Sequence, residues 1–546
     1  MIFLSTLLIS MFITIALIPI LRRYAVRLHC VDVPCERKVH CAPVPKVGGI
    51  SMAVGVLASV LFLVYGDRMA LAILIGAGII ALFGVLDDMN DLGYRVKFAG
   101  QLAAALVVVL FGGVKIACLG GLLPDGCLLP DGLAVPLTLL VVIGVTNAVN
   151  LADGLDGLAG GLMLICFLCL GFMAYRGGNT IMTLMATAAA GAIFGFLRYN
   201  THPATVFMGD AGSQLLGFLA VTMAIAITQG STAYSPLFPL LLLGLPILDT
   251  LYVMSVRVAR DRSPFVADRN HLHHRLLQLG LYHSEAVFVL YILQAALVTT
   301  AFLLRYYSEW SALGVYVAFT AGAVVFMLAA EKYGWRLQRP GPLDHLIKIP
   351  LRLHIKEQWI MIKLSMSVID IGLPLLLIAT CVLAGAIPTP LSWLAAGLAA
   401  AVLAVCLFKP QRVSFMLRAV IYFFLPLVIY YGEVEPAGWI PDGAARWLNL
   451  SFGVVVFFAV MTLKFTRRRE GFKLKPIDFI ILFVAVVVPN LPDAAIRTYH
   501  AGSLAAKIVV FFFVFEVLAG ELRGALGRLG FATAVGLAVV AAKGFL

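Results

Sequence analysis

Apolar stretches of about 17 to 22 residues, the length that crosses a bilayer as a helix, recur along almost the whole chain. They constrain the fold more than any other feature, because backbone in hydrocarbon must satisfy its own N–H and C=O groups within the helix. The first spans Met1 to Leu21. Others fall near 48–65, 69–86, 98–112, 133–149, 158–175, 179–197, 213–229, 236–256, 286–304, 310–330, 366–386, 391–408, 419–431, 447–463, 477–490, 503–519 and 529–546, eighteen in all. Composition agrees, with 62% of the 546 residues apolar, 12% charged and a mean hydropathy of +1.01. A soluble protein carries roughly 25% charged residues, so an ordinary soluble enzyme, a disordered chain, a coiled coil and a disulfide scaffold are excluded. The expected fold class is an all-α polytopic integral membrane protein.

Charge placement orients it. No Lys or Arg precedes the first span, and Arg22, Arg23 and Arg27 follow it. That is the reverse of a cleaved signal peptide and puts the N-terminus outside. With eighteen spans, 32 of the 40 Lys and Arg fall in loops assigned to the inner side, so the positive-inside bias holds along the chain. The net charge of +12 then points to anionic lipid headgroups and implies no nucleic acid. Cys30, Cys35 and Cys41 lie in a reducing inner loop, and Cys166, Cys169, Cys381 and Cys406 in spans, where a thiol acts as a small hydrophobe. Cys118 and Cys127 share the outer loop 112–132, where a disulfide and two free thiols are both open.

Carboxylates at a membrane edge are costly and therefore informative. Asp87, Asp88 and Asp91 end the third span, Asp153 and Asp156 follow the fifth, and Asp210 precedes the eighth, all at the expected inner mouth; Asp249 lies deeper, within the ninth. In Gly84-Val85-Leu86-Asp87-Asp88-Met89-Asn90-Asp91 the helical spacing puts like charges on one face, and Mg²⁺, a hard ion that takes carboxylate and phosphate oxygens together, suits them. In Asn147-Ala148-Val149-Asn150-Leu151-Ala152-Asp153-Gly154-Leu155-Asp156-Gly157, glycines interrupt polar residues at spacing three, which suggests a broken helix open to a polar ligand. Phe207-Met208-Gly209-Asp210-Ala211-Gly212-Ser213 opens a helix, where Asp210 and Ser213 are either caps or neighbours of a bound phosphate. Asp268-Arg269-Asn270-His271-Leu272-His273-His274-Arg275 is a His/Arg cluster suited to a diphosphate; zinc is disfavoured there, because the His-Glu-x-x-His spacing of metalloproteases is missing.

These segments, with Pro45-Lys46-Val47-Gly48-Gly49, resemble the polyprenyl-phosphate N-acetylhexosamine-1-phosphate transferases over roughly residues 1–335. The His271-Leu272-His273-His274 stretch is most similar to the branch that uses UDP-GlcNAc, while the 147–161 segment is shared with the phospho-MurNAc-pentapeptide transferases. The resemblance implies transfer of a sugar-1-phosphate from a UDP-N-acetylhexosamine to undecaprenyl phosphate, releasing UMP, at the cytosolic face of the bacterial inner membrane. It implies Mg²⁺, with Mn²⁺ as the alternative. It implies Asp210, Asp87 and Asp88 as metal ligands and catalytic groups, with His271, His273 and His274. It implies Lys46, Asp91, Lys97, Asn147, Asn150, Asp153, Asp156, Asn200, Phe207 and Arg269 as substrate-binding residues. A transporter or flippase of lipid-linked sugars is the rival from another class, but it would place charges nearer the midplane. A phosphatidyl-alcohol transferase is disfavoured, because Leu155-Asp156-Gly157-Leu158 follows Asp153-Gly154 where that motif needs Ala-Arg.

The chain continues beyond the resemblance. Residues 336–365 read as a basic, interfacial linker on anionic lipid, and 366–546 as a C-terminal membrane extension of about seven spans with no second active site. Anchoring, a homodimer or docking of downstream glycosyltransferases are the roles left open for it.

Overall fold

A computed structural model describes residues 2–27, 30–32, 43–61, 63–64, 66–124, 127–229, 233–259, 261, 263, 271–335, 355–385, 387–434, 444–465, 501–521 and 526–544. They fall in two compact units, the first within Met1–Gln338 and the second from Arg339 onward. Twelve helices among the described residues are long and apolar enough to cross a membrane, and the protein is an all-α polytopic membrane protein.

In the first unit, α1 (Ile2–Tyr24) packs on α2 (Gly48–Val60) and on α7 (Thr180–Asn200). Before α2, strands β1 (Val31–Asp32) and β2 (Val44–Pro45) pair antiparallel, with Val31 opposite Pro45. This short ladder departs from the all-helical expectation, and it has a use. Phe207 N–H donates to Pro45 O at 2.8 Å and Gly48 N–H to Phe207 O at 3.0 Å, so the first loop is stitched to the segment that starts α8 (Gly209–Thr228).

Helix α8 is the axis of the unit: 94% of its most apolar stretch is buried, against α2, α3 (Arg68–Asn90), α5 (Asp131–Leu151) and α6 (Leu158–Arg176). Glycines permit that closeness. A Cβ on Gly49 would sit 2.2 Å from Gly212 N, and one on Gly84 would sit 2.4 Å from the Ala211 Cα. Helix α4 (Tyr94–Leu106) continues through a π turn at Val107–Phe111. The span expected near 236–256 is broken into α9 (Phe238–Leu242) and α10 (Gly244–Ala259). Pro246 lacks an N–H to donate back to Leu242, and the freed Leu242 carbonyl instead accepts from Gln294 Nε2 at 2.7 Å. The unit closes with α11 (Leu272–Gln278), α12 (His283–Leu304) and α13 (Glu309–Lys332). Cys118 and Cys127 are free thiols.

The second unit comprises α14 (Ile355–Leu383), α15 (Thr389–Phe408), α16 (Val413–Ala419), α17 (Leu425–Val434), α18 (Ala444–Phe465), α19 (Ala501–Glu521) and α20 (Gly527–Lys543). Its core includes Leu373, Leu377, Phe424, Phe511, Phe515 and Val540. Ion pairs among its described residues join Arg418 to Glu516 at 2.7 Å, the buried Lys507 to Glu433, and Asp370 to the exposed Arg528 at 2.8 Å. The linker expected from 336 lies outside the described residues up to 354, as does the span near 477–490.

Candidate active site

Three helix ends meet where the acids cluster. Helix α3 starts on Asp67, whose carboxylate accepts from Ala70 N–H at 2.8 Å, and ends at Asp91, which turns left-handed at φ +50°. Asp87 is held by the same turn, its Oδ1 accepting from Leu92 N–H at 2.8 Å. Its neighbour Asp88 crosses to another helix and accepts from the Asp210 and Ala211 N–H groups, each at 3.1 Å. A carboxylate from α3 thus caps the positive end of α8, where a negative charge is stabilised. Gly209, at φ +68°, makes this possible, since a Cβ there would lie 2.3 Å from Asp88 Oδ2.

Two lysines balance the acids. Lys97 Nζ, from α4, bridges Asp87 Oδ2 at 2.6 Å and Asp210 Oδ2 at 3.1 Å. Lys46 Nζ lies 3.7 Å from Asp88 Oδ1 and 3.8 Å from Asp32 Oδ1. Asp87 and Asp210 therefore converge on one point of positive charge. These are hard oxygen donors, and they fit Mg²⁺.

Asp153 stands nearby on the Ala152–Gly157 break between α5 and α6. Burial, then the negative charges of Asp210, Asp88 and Asp156, push its carboxyl up to about 7. The raised value makes the ionised form a liability in the folded state. The cost is absent below the ordinary carboxylate range, grows as pH rises through it, and is complete above pH 7. In metal-free protein, Asp153→Asn is therefore expected to raise Tm relative to the native protein at pH 8 and to lose that advantage toward pH 4. A Tm difference that is the same at both pH values would remove Asp153 from the charge cluster.

The remaining expected site residues divide. Asn150 Oδ1 accepts from Ser213 Oγ at 2.5 Å, which ties the end of α5 to the first turn of α8. Asn147 is bound to Gln101, whose amide also reaches Gln214 at 2.9 Å, so its side chain sits in an interhelical amide network. Asn200 is buried, donating to Val206 O at 3.0 Å and accepting from Gly157 N–H at 2.9 Å. Phe207 is half-buried beside Lys46 and Gly48 through its backbone. Asp91 is exposed at the helix end, and Arg269 lies outside the described residues.

The histidine segment joins the site through His273. Its ring rests on Gly154, where a Cβ would come 2.1 Å from Nε2. Burial, then the neighbouring His274, His271 and His283, push this imidazole down to about 3. Within the His/Arg cluster expected from sequence, His273 is therefore neutral near pH 7, because it is buried among other imidazoles. His273 and His274 rings are 4.2 Å apart. His271 is anchored from below: Asp249 Oδ2 is 2.9 Å from its Nδ1, and Asp249 Oδ1 accepts from Leu272 N–H at 2.7 Å. Asp249 looked isolated in its span; a carboxylate buried in an apolar helix was the signal that it serves a neighbour.

Asp156 faces elsewhere. It is 2.7 Å from His202 Nδ1 and accepts from Ala204 N–H at 3.0 Å. Burial alone would raise its carboxyl, but the His202 and Ala204 hydrogen bonds and the nearby His283 hold it below its ordinary value. Neither His202 nor His283 carried a motif that singled it out in the sequence.

An α-helical membrane unit that gathers acids and lysines at one end of its helices defines an integral membrane protein with a polar site at the bilayer edge. Residues 70–228 match glycosyl transferase family 4. The chain is 35% identical over 329 residues to a probable undecaprenyl-phosphate N-acetylglucosaminyl 1-phosphate transferase of Bacillus subtilis (strain 168), covering 60% of this chain and 90% of that protein. It is 33% identical over 354 residues to the undecaprenyl-phosphate alpha-N-acetylglucosaminyl 1-phosphate transferase of Escherichia coli (strain K12), covering 63% and 94%. A decaprenyl-phosphate N-acetylglucosaminephosphotransferase of Mycolicibacterium smegmatis is 36% identical over 304 residues, covering 50% and 74%. The chain belongs to this family of polyprenyl-phosphate sugar-1-phosphate transferases.

Proposed function

We propose that the protein transfers GlcNAc-1-phosphate from UDP-GlcNAc to undecaprenyl phosphate, with the active site at the cytosolic face of the bacterial inner membrane. The carrying observation is the convergence of Asp87, Asp210 and Lys97 at the ends of α3, α8 and α4, in a chain that covers nine-tenths of a relative named for that reaction. A lipid-phosphate oxygen attacks the sugar-bearing phosphorus of the donor, the bond to the UMP oxygen breaks, and UMP leaves. Such a transfer asks the protein for alignment and charge neutralisation more than for covalent chemistry.

Asp87 and Asp210 would hold Mg²⁺, which when bound supplies positive charge to the diphosphate oxygens. Asp88 fixes Asp210 by capping α8, Lys97 and Lys46 face the phosphates, and neutral His273 offers a hydrogen bond beside Gly154. Asp153 and Asn150 border the nucleotide. The Asp249–His271 pair holds the histidine segment in place. Purified protein given a panel of UDP-sugars with undecaprenyl phosphate should release UMP with UDP-GlcNAc above the others. Release of UMP with none of the panel would overturn the reading, and preference for UDP-MurNAc-pentapeptide would move it to the peptidoglycan branch.

Lys97→Gln is expected to lower the Mg²⁺ concentration that gives half-maximal turnover, because the two carboxylates lose a competing ammonium. A higher requirement would place the metal away from Asp87 and Asp210. Relatives are covered over 90% and more of their length by about three-fifths of this chain, so the C-terminal extension is an accessory in this reading. A chain ending at Lys332 is expected to keep UMP release in detergent; loss of folding would make the extension structural.

A further inference from the structure

We propose that Asp156, His202 and His283 form a binding site for a divalent transition metal of the Zn²⁺ class, separate from the carboxylates that face the phosphates. The three come from different places in the fold: the break before α6, the residues just after α7, and the first turn of α12. One ligand atom from each lies within 4.8 Å of the other two, and this is the one such His/Cys/Asp/Glu group among the described residues. Two imidazoles and a carboxylate are the donor set that borderline metals take, whereas Mg²⁺ prefers oxygen alone. Zinc bonds of about 2.0–2.2 Å in tetrahedral geometry put ligand atoms about 3.3–3.5 Å apart. The His202–Asp156 distance of 2.7 Å and the 4.8 Å bound therefore bracket the coordinated spacing, and rotation of one imidazole out of the stack completes it.

The rings stand close together, and one imidazole must turn before both can direct a nitrogen at a single ion, because a metal binds in the plane of each ring. His202 and His283 stack with centroids 4.1 Å apart and planes 22° from parallel. The His283 Nδ1 atom is buried without a hydrogen-bond partner among the described residues, and its Nε2 reaches only the Asp156 carbonyl at 3.4 Å. An under-satisfied buried imidazole is costly, and a metal–nitrogen bond would satisfy it. His202 is 44% exposed at its side chain, so an ion has a path in, and three protein ligands leave a fourth position for water. A metal here would clamp the Asp153–Gly157 loop from behind without touching Lys97 or Asp210.

Full-length protein stripped with chelator and titrated calorimetrically with Zn²⁺ in millimolar Mg²⁺ is expected to bind one equivalent and gain in Tm. The assay contains neither donor nor lipid, so its result is independent of the transfer reaction. His202→Ala and His283→Ala should each weaken Zn²⁺ at least tenfold, while Cys30→Ser and Cys118→Ser leave it unchanged. If either histidine variant fails to fold, the native protein still decides: Zn²⁺ should protect His202 and His283 from carbethoxylation, read by mass spectrometry. No stoichiometric Zn²⁺ binding, or binding and labelling indifferent to these two histidines, would overturn the site and leave an Asp–His tether only.

Discussion

Asp210→Asn is expected to lower the rate of UMP release by about two to three orders of magnitude, the range seen when one preorganised electrostatic group is removed from a polar reaction site. The substitution keeps size and shape. It also keeps the cap, because Asp88 binds the backbone N–H of residue 210 and of Ala211, and not the side chain. Lys97 retains Asp87 at 2.6 Å, so the helix ends have reason to stay together. The fall should therefore appear in kcat with little change in Tm, and with a weakened response to Mg²⁺. Turnover and Mg²⁺ dependence that survive unchanged would remove Asp210 from the metal site. A large drop in Tm would instead make its role structural.

Gly209→Ala should be damaging for a different reason. The residue sits at φ +68°, and its new Cβ would lie 2.3 Å from Asp88 Oδ2. The left-handed backbone costs about 1–2 kcal/mol for a residue with a Cβ, and forcing an atom into a filled space costs about 1–3 kcal/mol more. Asp88 must then retreat from the start of α8, carrying Asp87 with it. Misplacement of about 1 Å at a reacting centre can cost a hundredfold in rate, so activity should fall about that far while Tm drops by several degrees. Gly178→Ala is the matched comparison. Gly178 has φ +72° but nothing within 4 Å of a Cβ, so it bears the backbone cost alone, and UMP release should be preserved. Equal effects of the two substitutions on turnover would mean that the contact with Asp88 has no part in catalysis.

Much of this was legible in the amino-acid order. The apolar runs match α1, α3, α5, α6, α7, α8, α12 and α13 in place, because a membrane helix is a local solution to a local problem: each backbone donor finds its acceptor four residues away. The acids at helix ends were readable for a related reason, since a charge beside hydrocarbon is too costly to be casual. Where local rules met a breaker, prediction slipped. Pro246 divided one expected span into two, because its missing N–H left a carbonyl for Gln294 to take.

Side-chain partnership was not legible. Asn147 and Asn150 look alike in the sequence, three residues apart, yet Asn147 joins Gln101 and Gln214 while Asn150 meets Ser213 in the first turn of α8. Asp153 and Asp156 look alike too, yet one faces the carboxylates and the other is held by His202. His202 and His283 gave no signal alone, because a lone histidine at a loop or helix start is ordinary. By itself, then, the sequence determined a polytopic helical membrane chain, the positions of most helices and a membrane-edge set of acids. The tertiary structure decided which of those groups share a site. Lys97 and Asp210 are separated by 113 residues, and only the packing of α3 and α4 around α8 brings them within 3.1 Å. Helix formation is settled by neighbours along the chain, whereas pairing of charges depends on distances that exist only after the helices have closed on one another.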